Sequence, residues 1–167
     1  MGEQVAEWVL DAVQDREVEY QLLDLTEFDV PHLVAETMPG VANKRYDDPE
    51  VTRWSQAVDA CDGYVFVTPE YNHSIPGTMK NAFDSLYGEW VGKPVAFVSY
   101  GGDGGVRAVE HWRQIVANLS MRGIRNQVAL QIFSDDAQDG TFAPREPKRA
   151  ALNKALGDLE AALTSRG

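Results

Sequence analysis

Gly63-Tyr64-Val65-Phe66-Val67-Thr68-Pro69 is a nearly continuous run of β-branched and aromatic residues closed by a proline. Such a run reads as a strand buried on both faces, as in a parallel sheet, and not as the in–out alternation of a half-exposed strand. Outward from it the hydrophobic period switches back and forth. Upstream, Val51, Trp54, Val58 and Cys61 share a helical face. Downstream, residues 77–87 are helical in pattern, and Pro94-Val95-Ala96-Phe97-Val98-Ser99-Tyr100 is a second buried strand. Val106, Val109, Trp112, Val116 and Leu119 mark a long amphipathic helix, residues 128–132 a short strand, and Leu152, Leu156, Leu159 and Leu163 a last helix. At the start, Val5, Trp8, Val9, Ala12 and Val13 form a helical face, and Val18, Tyr20, Leu22, Leu23 and Leu25 read as a strand ending at Thr26. Strands alternating with helices imply βαβ units, a parallel sheet and helices on both sides.

The 167 residues suit one domain, and with no repeat or composition break, 1–167 reads as a single unit. A net charge of −11 argues against nucleic acid, whose non-specific binding is driven by phosphate neutralisation, and against a polybasic membrane anchor. No apolar run approaches the ~18 residues of a membrane span and no signal segment opens the chain, so the expected location is the cytoplasm. The single cysteine, Cys61, excludes an internal disulfide and a Cys-rich zinc site and reads as a small buried hydrophobe. The three histidines show no metal-ligand spacing, so no metal is expected.

In open parallel sheets, ligands bind outside the carboxyl ends of the strands. Two segments fall there. Thr68-Pro69-Glu70-Tyr71-Asn72-His73-Ser74-Ile75-Pro76-Gly77 has prolines near both ends, which hold the backbone in one shape and present amides and Tyr71. Ser99-Tyr100-Gly101-Gly102-Asp103-Gly104-Gly105 is rich in glycine and lets a flat ligand approach the main chain. It is not a dinucleotide fingerprint, because the glycine spacing is wrong and Asp103 would repel a pyrophosphate. Ser74 and Ser99 lack a nucleophile-elbow context, which leaves a hydrolase reading poor.

The first segment, continued by Met79-Lys80-Asn81-Ala82-Phe83-Asp84, resembles the signature of the NAD(P)H-dependent FMN reductases, flavodoxin-like proteins that include chromate and quinone reductases. Ser99-Tyr100-Gly101-Gly102 and Gly105-Val106-Arg107-Ala108 resemble the same family at the right separation. The resemblance implies a flavodoxin-like three-layer α/β/α sandwich. It implies FMN as cofactor, NADPH or NADH as donor, and a small-molecule acceptor: a quinone, flavin, azo dye or metal oxyanion. It implies a homodimer or homotetramer, with the loop at Tyr71 and the residues near Tyr87 and Trp90 as candidate contacts. The cofactor-binding residues it implies are Pro69, Glu70, Tyr71, Asn72, Ile75 and Pro76 at the ring, with Tyr100, Gly101 and Gly102 at the pyrimidine edge. No catalytic side chain is implied, since the flavin carries the chemistry.

The chain departs from the family pattern at its start. The family opens with a central strand and a phosphate-binding loop, whereas Gly2-Glu3-Gln4-Val5-Ala6-Glu7-Trp8-Val9 resembles the helix that follows them. A short or misassigned start is one explanation; a real loss of strong FMN binding is the other. In either case the strands at Leu22 and Val65 are expected to show unpaired edges or to pair directly, and FMN to bind weakly. A second hypothesis from another class is a non-enzymatic module that has lost FMN and acts through protein association.

Single residues carry further expectations. Tyr71 stacks near a ligand or packs the loop, Asn72 touches a ligand or braces a turn, and Glu70 braces the loop or meets a subunit and is not an acid catalyst. Lys44 and Arg45 meet a donor phosphate or are solvated cations. Arg107 opposes the dipole of its helix and calls for a compensating partner. Of the tryptophans, Trp8, Trp54 and Trp112 read as core, with Trp90 at the core or a subunit contact.

Overall fold

The computed structural model describes residues 1–34 and 36–165. Its elements are α1 (Gly2–Val13), α2 (Pro49–Asp59), β1 (Tyr64–Pro69), α3 (Gly77–Asp84), β2 (Pro94–Gly101), α4 (Val106–Asn118), β3 (Arg122–Gln131), a small hairpin of β4 (Ala137–Gln138) and β5 (Thr141–Phe142), and α5 (Glu146–Thr164). The main sheet is parallel in the order β1-β2-β3. β3 starts six residues before the expected 128–132, and the hairpin lies in the long connection between β3 and α5.

Local chemistry fixes the helix starts. Asp48 accepts hydrogen bonds from the N–H groups of Glu50 and Val51, with Pro49 at the first position of α2. Two cores lie on opposite faces of the sheet. On one, Trp54 and Val58 of α2, Phe83 of α3 and Val109, Trp112 and Val116 of α4 pack on Tyr64, Phe66 and Phe97. On the other, Val5, Val9 and Val13 of α1 and Leu152 and Leu156 of α5 pack on Val98, Val128 and Leu130. The result is three layers, α/β/α.

Trp90 belongs wholly to the first core. It is 3% exposed, stacks on Phe83 with centroids 4.8 Å apart, and donates to the Phe83 carbonyl at 3.1 Å. That burial removes it from any subunit contact. Cys61 is only half-buried, with its Sγ 3.3 Å from Gln21 Nε2.

The expected strand at Val18, Tyr20, Leu22, Leu23 and Leu25 does not form. Residues 18–24 have no regular structure, and a short 3₁₀ turn follows at Leu25–Glu27. A strand needs a ladder partner, and among the described residues this segment has none. It neither pairs with β1 nor closes against it. Between the two lies a cavity of about 1230 Å³, walled by α1 on one side and by α2 and α3 on the other.

Candidate functional site

β1 and β2 end side by side, Thr68 opposite Ser99 and Pro69 opposite Tyr100. The Glu70 N–H extends the ladder by one bond, donating to the Tyr100 carbonyl at 3.0 Å. Tyr71 and Ser74 then exchange two backbone hydrogen bonds, both 3.0 Å, closing a two-residue turn. Its central residues, Asn72 and His73, have φ of 49° and 67°. Asn tolerates that left-handed geometry through its short polar side chain. The turn leaves Tyr71 62% exposed at the tip. Ile75 packs against the core and Pro76 is buried, so both brace the loop from beneath.

The glycine segment folds back on its own strand. Ser99 Oγ donates to the Gly104 carbonyl at 2.7 Å, and the Gly104 N–H donates to the Gly101 carbonyl at 3.2 Å. Tyr100, half-buried, lies beside Tyr71, and its hydroxyl pKa is raised first by burial and then by that neighbour. Pro69, Tyr71, Asn72, Tyr100, Gly101 and Gly102 therefore share one rim at the carboxyl end of the sheet. Among the described residues, the N–H groups of Asn72, His73 and Gly102 have no internal hydrogen-bond acceptor. The start of α1 reaches the same end: a Cβ on Gly2 would lie 2.7 Å from the Tyr100 hydroxyl.

Glu70 turns away from the rim. Its carboxylate accepts from the Arg107 N–H at 2.9 Å, from Arg107 Nη1 at 2.8 Å and from the Ala108 N–H at 3.4 Å. It thus caps α4 from a different loop, and with Asp103 it supplies the partner that Arg107 needs at a helix N-terminus. Burial alone would raise the Glu70 pKa; the hydrogen bonds from Arg107 and Ala108 outweigh it and hold the carboxyl below its ordinary value. The linkage follows in sign. The folded value lies below the unfolded one, near pH ~4.3, so the contribution is full above that value and is lost as pH falls through the folded pKa. Glu70→Gln should flatten the loss of stability as pH falls below about 4.3, relative to the native chain in denaturant titrations; identical slopes would dismiss the cap.

Two side chains at this end carry no marker in the sequence. Phe133 is 82% exposed, and a Cβ on Gly102 would be 3.8 Å from its ring. Asp136, fully buried, accepts from the Gln131 N–H at 2.8 Å and the Arg145 N–H at 3.4 Å, with Lys148 Nζ 3.4 Å away. It ties the small hairpin to the end of β3. Lys44 Nζ pairs with Asp59 at 2.6 Å, an exposed surface contact. Ser74 Oγ lies 2.8 Å from His111 Nδ1, a contact that fastens the turn to α4.

Residues 1–135 match the family described as NADPH-dependent FMN reductase. The chain belongs to that family. It is 32% identical over 159 residues to an NAD(P)H-dependent FMN reductase of Schizosaccharomyces pombe, a match covering 95% of this chain and 78% of that one. It is 34% identical over 127 residues to an NAD(P)H:quinone oxidoreductase of Solanum tuberosum, covering 71% of this chain and 66% of that one. Among solved structures, the flavoenzyme NAD(P)H:(acceptor) oxidoreductase FerB of Paracoccus denitrificans superposes with a TM-score of 0.73 at 21% identity, covering 98% of this chain and 90% of that one. As a member of the FMN reductase family the chain has the flavodoxin-like α/β fold, with FMN and NAD(P)H as the family's cofactors.

Proposed function

We propose that the rim of Pro69, Tyr71, Asn72, Tyr100, Gly101 and Gly102 receives the ring system of FMN, above the supports Glu70, Ile75 and Pro76, and that this single domain works as an NAD(P)H-dependent reductase of quinones or similar planar acceptors. The observation that carries the reading is the set of N–H groups on Asn72, His73 and Gly102, without an internal acceptor among the described residues, beside exposed Tyr71. They match a flat ligand with carbonyl and ring-nitrogen acceptors on its edge and an aromatic face to cover.

Bound FMN supplies hydride acceptance from the nicotinamide and its return to an acceptor. The protein binds and orients. Gly101 and Gly102 let the ring approach the main chain, and Tyr71 covers it. No carboxylic acid is offered as a proton donor, because the Glu70 carboxylate is spent on α4. The Tyr100 hydroxyl keeps its proton, since burial raises its pKa.

The phosphate end fits less well. The first turn of α1 offers its unpaired N–H groups, but Met1-Gly2-Glu3-Gln4 contains no hydroxyl and no cationic side chain, and the Glu3 carboxylate opposes a phosphate. A charge-assisted hydrogen bond is worth about 1.5–3 kcal/mol, so a gripped phosphate would separate FMN from riboflavin by well over tenfold. The expected result for this chain is affinities within about tenfold of each other, read from flavin fluorescence; a hundredfold preference for FMN would contradict it.

Tyr71→Ala combined with Gly101→Val tests the ring site. Gly101 has ordinary space around a Cβ, its nearest neighbour at 3.4 Å. Flavin affinity should fall about tenfold or more, the loss of roughly one aromatic contact, while the melting temperature moves by only a few degrees. An unchanged affinity would remove the site assignment.

A homodimer or homotetramer, located in the cytoplasm, is part of the same reading. Val34, Met38 and Val41 are 88%, 69% and 61% exposed, and Gly40 between the last two packs on the Tyr87 ring. Three large exposed apolar side chains within eight residues favour a partner surface over a solvated one. Light scattering on Met38→Glu should show a shift toward monomer.

A further inference from the structure

Each strand of the main sheet delivers a different surface at its carboxyl end. Tyr71 stands two residues beyond the end of β1, Gly102 follows directly on β2, and Phe133 stands two residues beyond the end of β3. Adjacent strands lie about 4.8 Å apart, so the ends of β1 and β3 are about 10 Å apart with the glycines between them. Tyr71 and Phe133 are both exposed, Phe133 the more so at 82%. Its ring lies at van der Waals distance, 3.8 Å, from the place where a side chain on Gly102 would begin. Two aromatic side chains thus flank a floor without side chains, and only Tyr71 is taken up by the ring site.

The backbone under Phe133 is held from both sides. The Ile132 N–H extends the ladder past β3, donating to the Gly101 carbonyl at 3.3 Å. The Gln131 carbonyl accepts from the N–H groups of Ser134 at 3.2 Å and Asp136 at 3.0 Å. The buried Asp136 carboxylate accepts from the Gln131 N–H at 2.8 Å, with Lys148 Nζ 3.4 Å away. Burying an ionised side chain is costly, and here that cost goes into fixing the turn 131–136 while the Phe133 ring stays in water. An aromatic side chain with two torsions on a fixed backbone gives up little entropy when it meets a ligand. Phenylalanine carries no donor or acceptor, so such a contact discriminates by shape and apolarity. Charge narrows the occupant further. Arg107 faces Glu70 and Asp103, and Arg145 faces Asp135 and Asp136. With both arginines matched to two carboxylates, a phosphate-bearing nucleotide gains little from them, whereas an uncharged ring needs no cation.

We propose that Phe133 is a specificity-determining residue of the reductase: across Gly102 it walls the acceptor side of the flavin site and selects uncharged planar aromatic acceptors, the quinone class, over small anionic ones. The inference rests on the flavin ring lying along the rim of Tyr71, Tyr100, Gly101 and Gly102. Phe133 touches the acceptor and leaves the reaction itself unchanged. NAD(P)H gives two electrons and one proton, solvent gives the second proton, and the quinone leaves as its hydroquinone.

The test compares Phe133→Ala and Phe133→Tyr with the native chain, all saturated with FMN, using NADPH and two acceptors: menadione, a naphthoquinone, and ferricyanide, a non-planar anion. Phe133→Ala should raise the KM for menadione about tenfold with kcat nearly unchanged, the worth of about one aromatic contact. The ferricyanide rate, the KM for NADPH and the FMN affinity should each stay within about twofold, and the mass by light scattering should not change. Phe133→Tyr keeps the ring and should keep the menadione KM. An unchanged menadione KM in Phe133→Ala, or an equal loss on both acceptors, would overturn the proposal. So would a raised KM for NADPH or a tenfold weaker FMN affinity, which would put the ring on the donor or the flavin, and a lowered mass, which would make Phe133 a subunit contact. Equilibrium dialysis of menadione against the oxidised, FMN-saturated protein reads the same contact without turnover, and there Phe133→Ala should bind about tenfold more weakly. Failure of the flavin reading shows separately, in the native chain. No FMN bound at any concentration removes the rim and this wall together, while FMN binding with an unchanged acceptor preference in Phe133→Ala removes the wall alone.

Discussion

Gly105→Ala should lower the unfolding free energy by about 3 kcal/mol, a drop of roughly 6–12 °C in melting temperature for a chain of this size. Two costs combine. Gly105 sits at φ 72°, a left-handed conformation that costs a residue with a Cβ about 1–2 kcal/mol. The new Cβ would also lie 2.7 Å from Ser99 Cβ and 2.9 Å and 3.1 Å from the Tyr100 nitrogen and oxygen. Two of those neighbours are backbone of β2, which cannot give way without shifting the sheet. Gly140→Ala is the internal control. Its φ is 77° but nothing lies within 4 Å of its Cβ, so only the conformational cost applies. Melts followed by circular dichroism should rank the two well apart; equal losses would show that crowding at Ser99 and Tyr100 is relieved elsewhere.

Trp112→Ala should cost about 3–5 kcal/mol, the range for removing a fully buried large aromatic. Trp112 is 0% exposed and meets Phe66 and Phe83 edge-on, with centroids 5.1 Å and 5.2 Å apart. The informative variant is Trp112→Phe. Among the described residues the Trp112 Nε1 has no hydrogen-bond partner, so phenylalanine relieves a buried polar group while it removes ring area. Trp54 and Trp90 donate to the Ala82 and Phe83 carbonyls at 2.8 Å and 3.1 Å, and phenylalanine there forfeits a bond. Urea titrations should therefore place Trp112→Phe as the mildest of the three tryptophan-to-phenylalanine changes. If it is the harshest, shape at Trp112 outweighs the relieved N–H.

The strands that paired were readable because they are buried on both faces. β1 and β2 show as continuous apolar runs, and the helices between them as period-3.6 stripes. Residues 18–25 carry an equally strandlike composition and still form no strand, because strand formation depends on a neighbour's edge that composition does not encode. The rim was visible for a related reason. Prolines at 69 and 76 and the glycines at 101, 102, 104 and 105 are backbone instructions written in residue type. Glu70 shows where such reading stops. Its neighbours suggest a ligand contact, while its partners, Arg107 and Ala108, lie 37 and 38 residues away and become partners only through the β2 crossover. Asp136 was invisible in the same way: one acidic residue in a polar stretch, made central by burial alone.

The Glu70 carboxylate, in joining the turn after β1 to the first turn of α4, also bears on how fast a ligand is taken up. A turn pinned to a helix that is itself packed on the sheet has no hinge to swing on. Association of a flavin should then proceed in one step, its observed rate rising linearly with ligand concentration and showing no plateau. Cutting this pin together with the Ser74–His111 contact, in the double variant Glu70→Ala and Ser74→Ala, should introduce a second, concentration-independent phase as the freed turn closes over the ligand, visible by stopped-flow fluorescence even where the equilibrium affinity changes little.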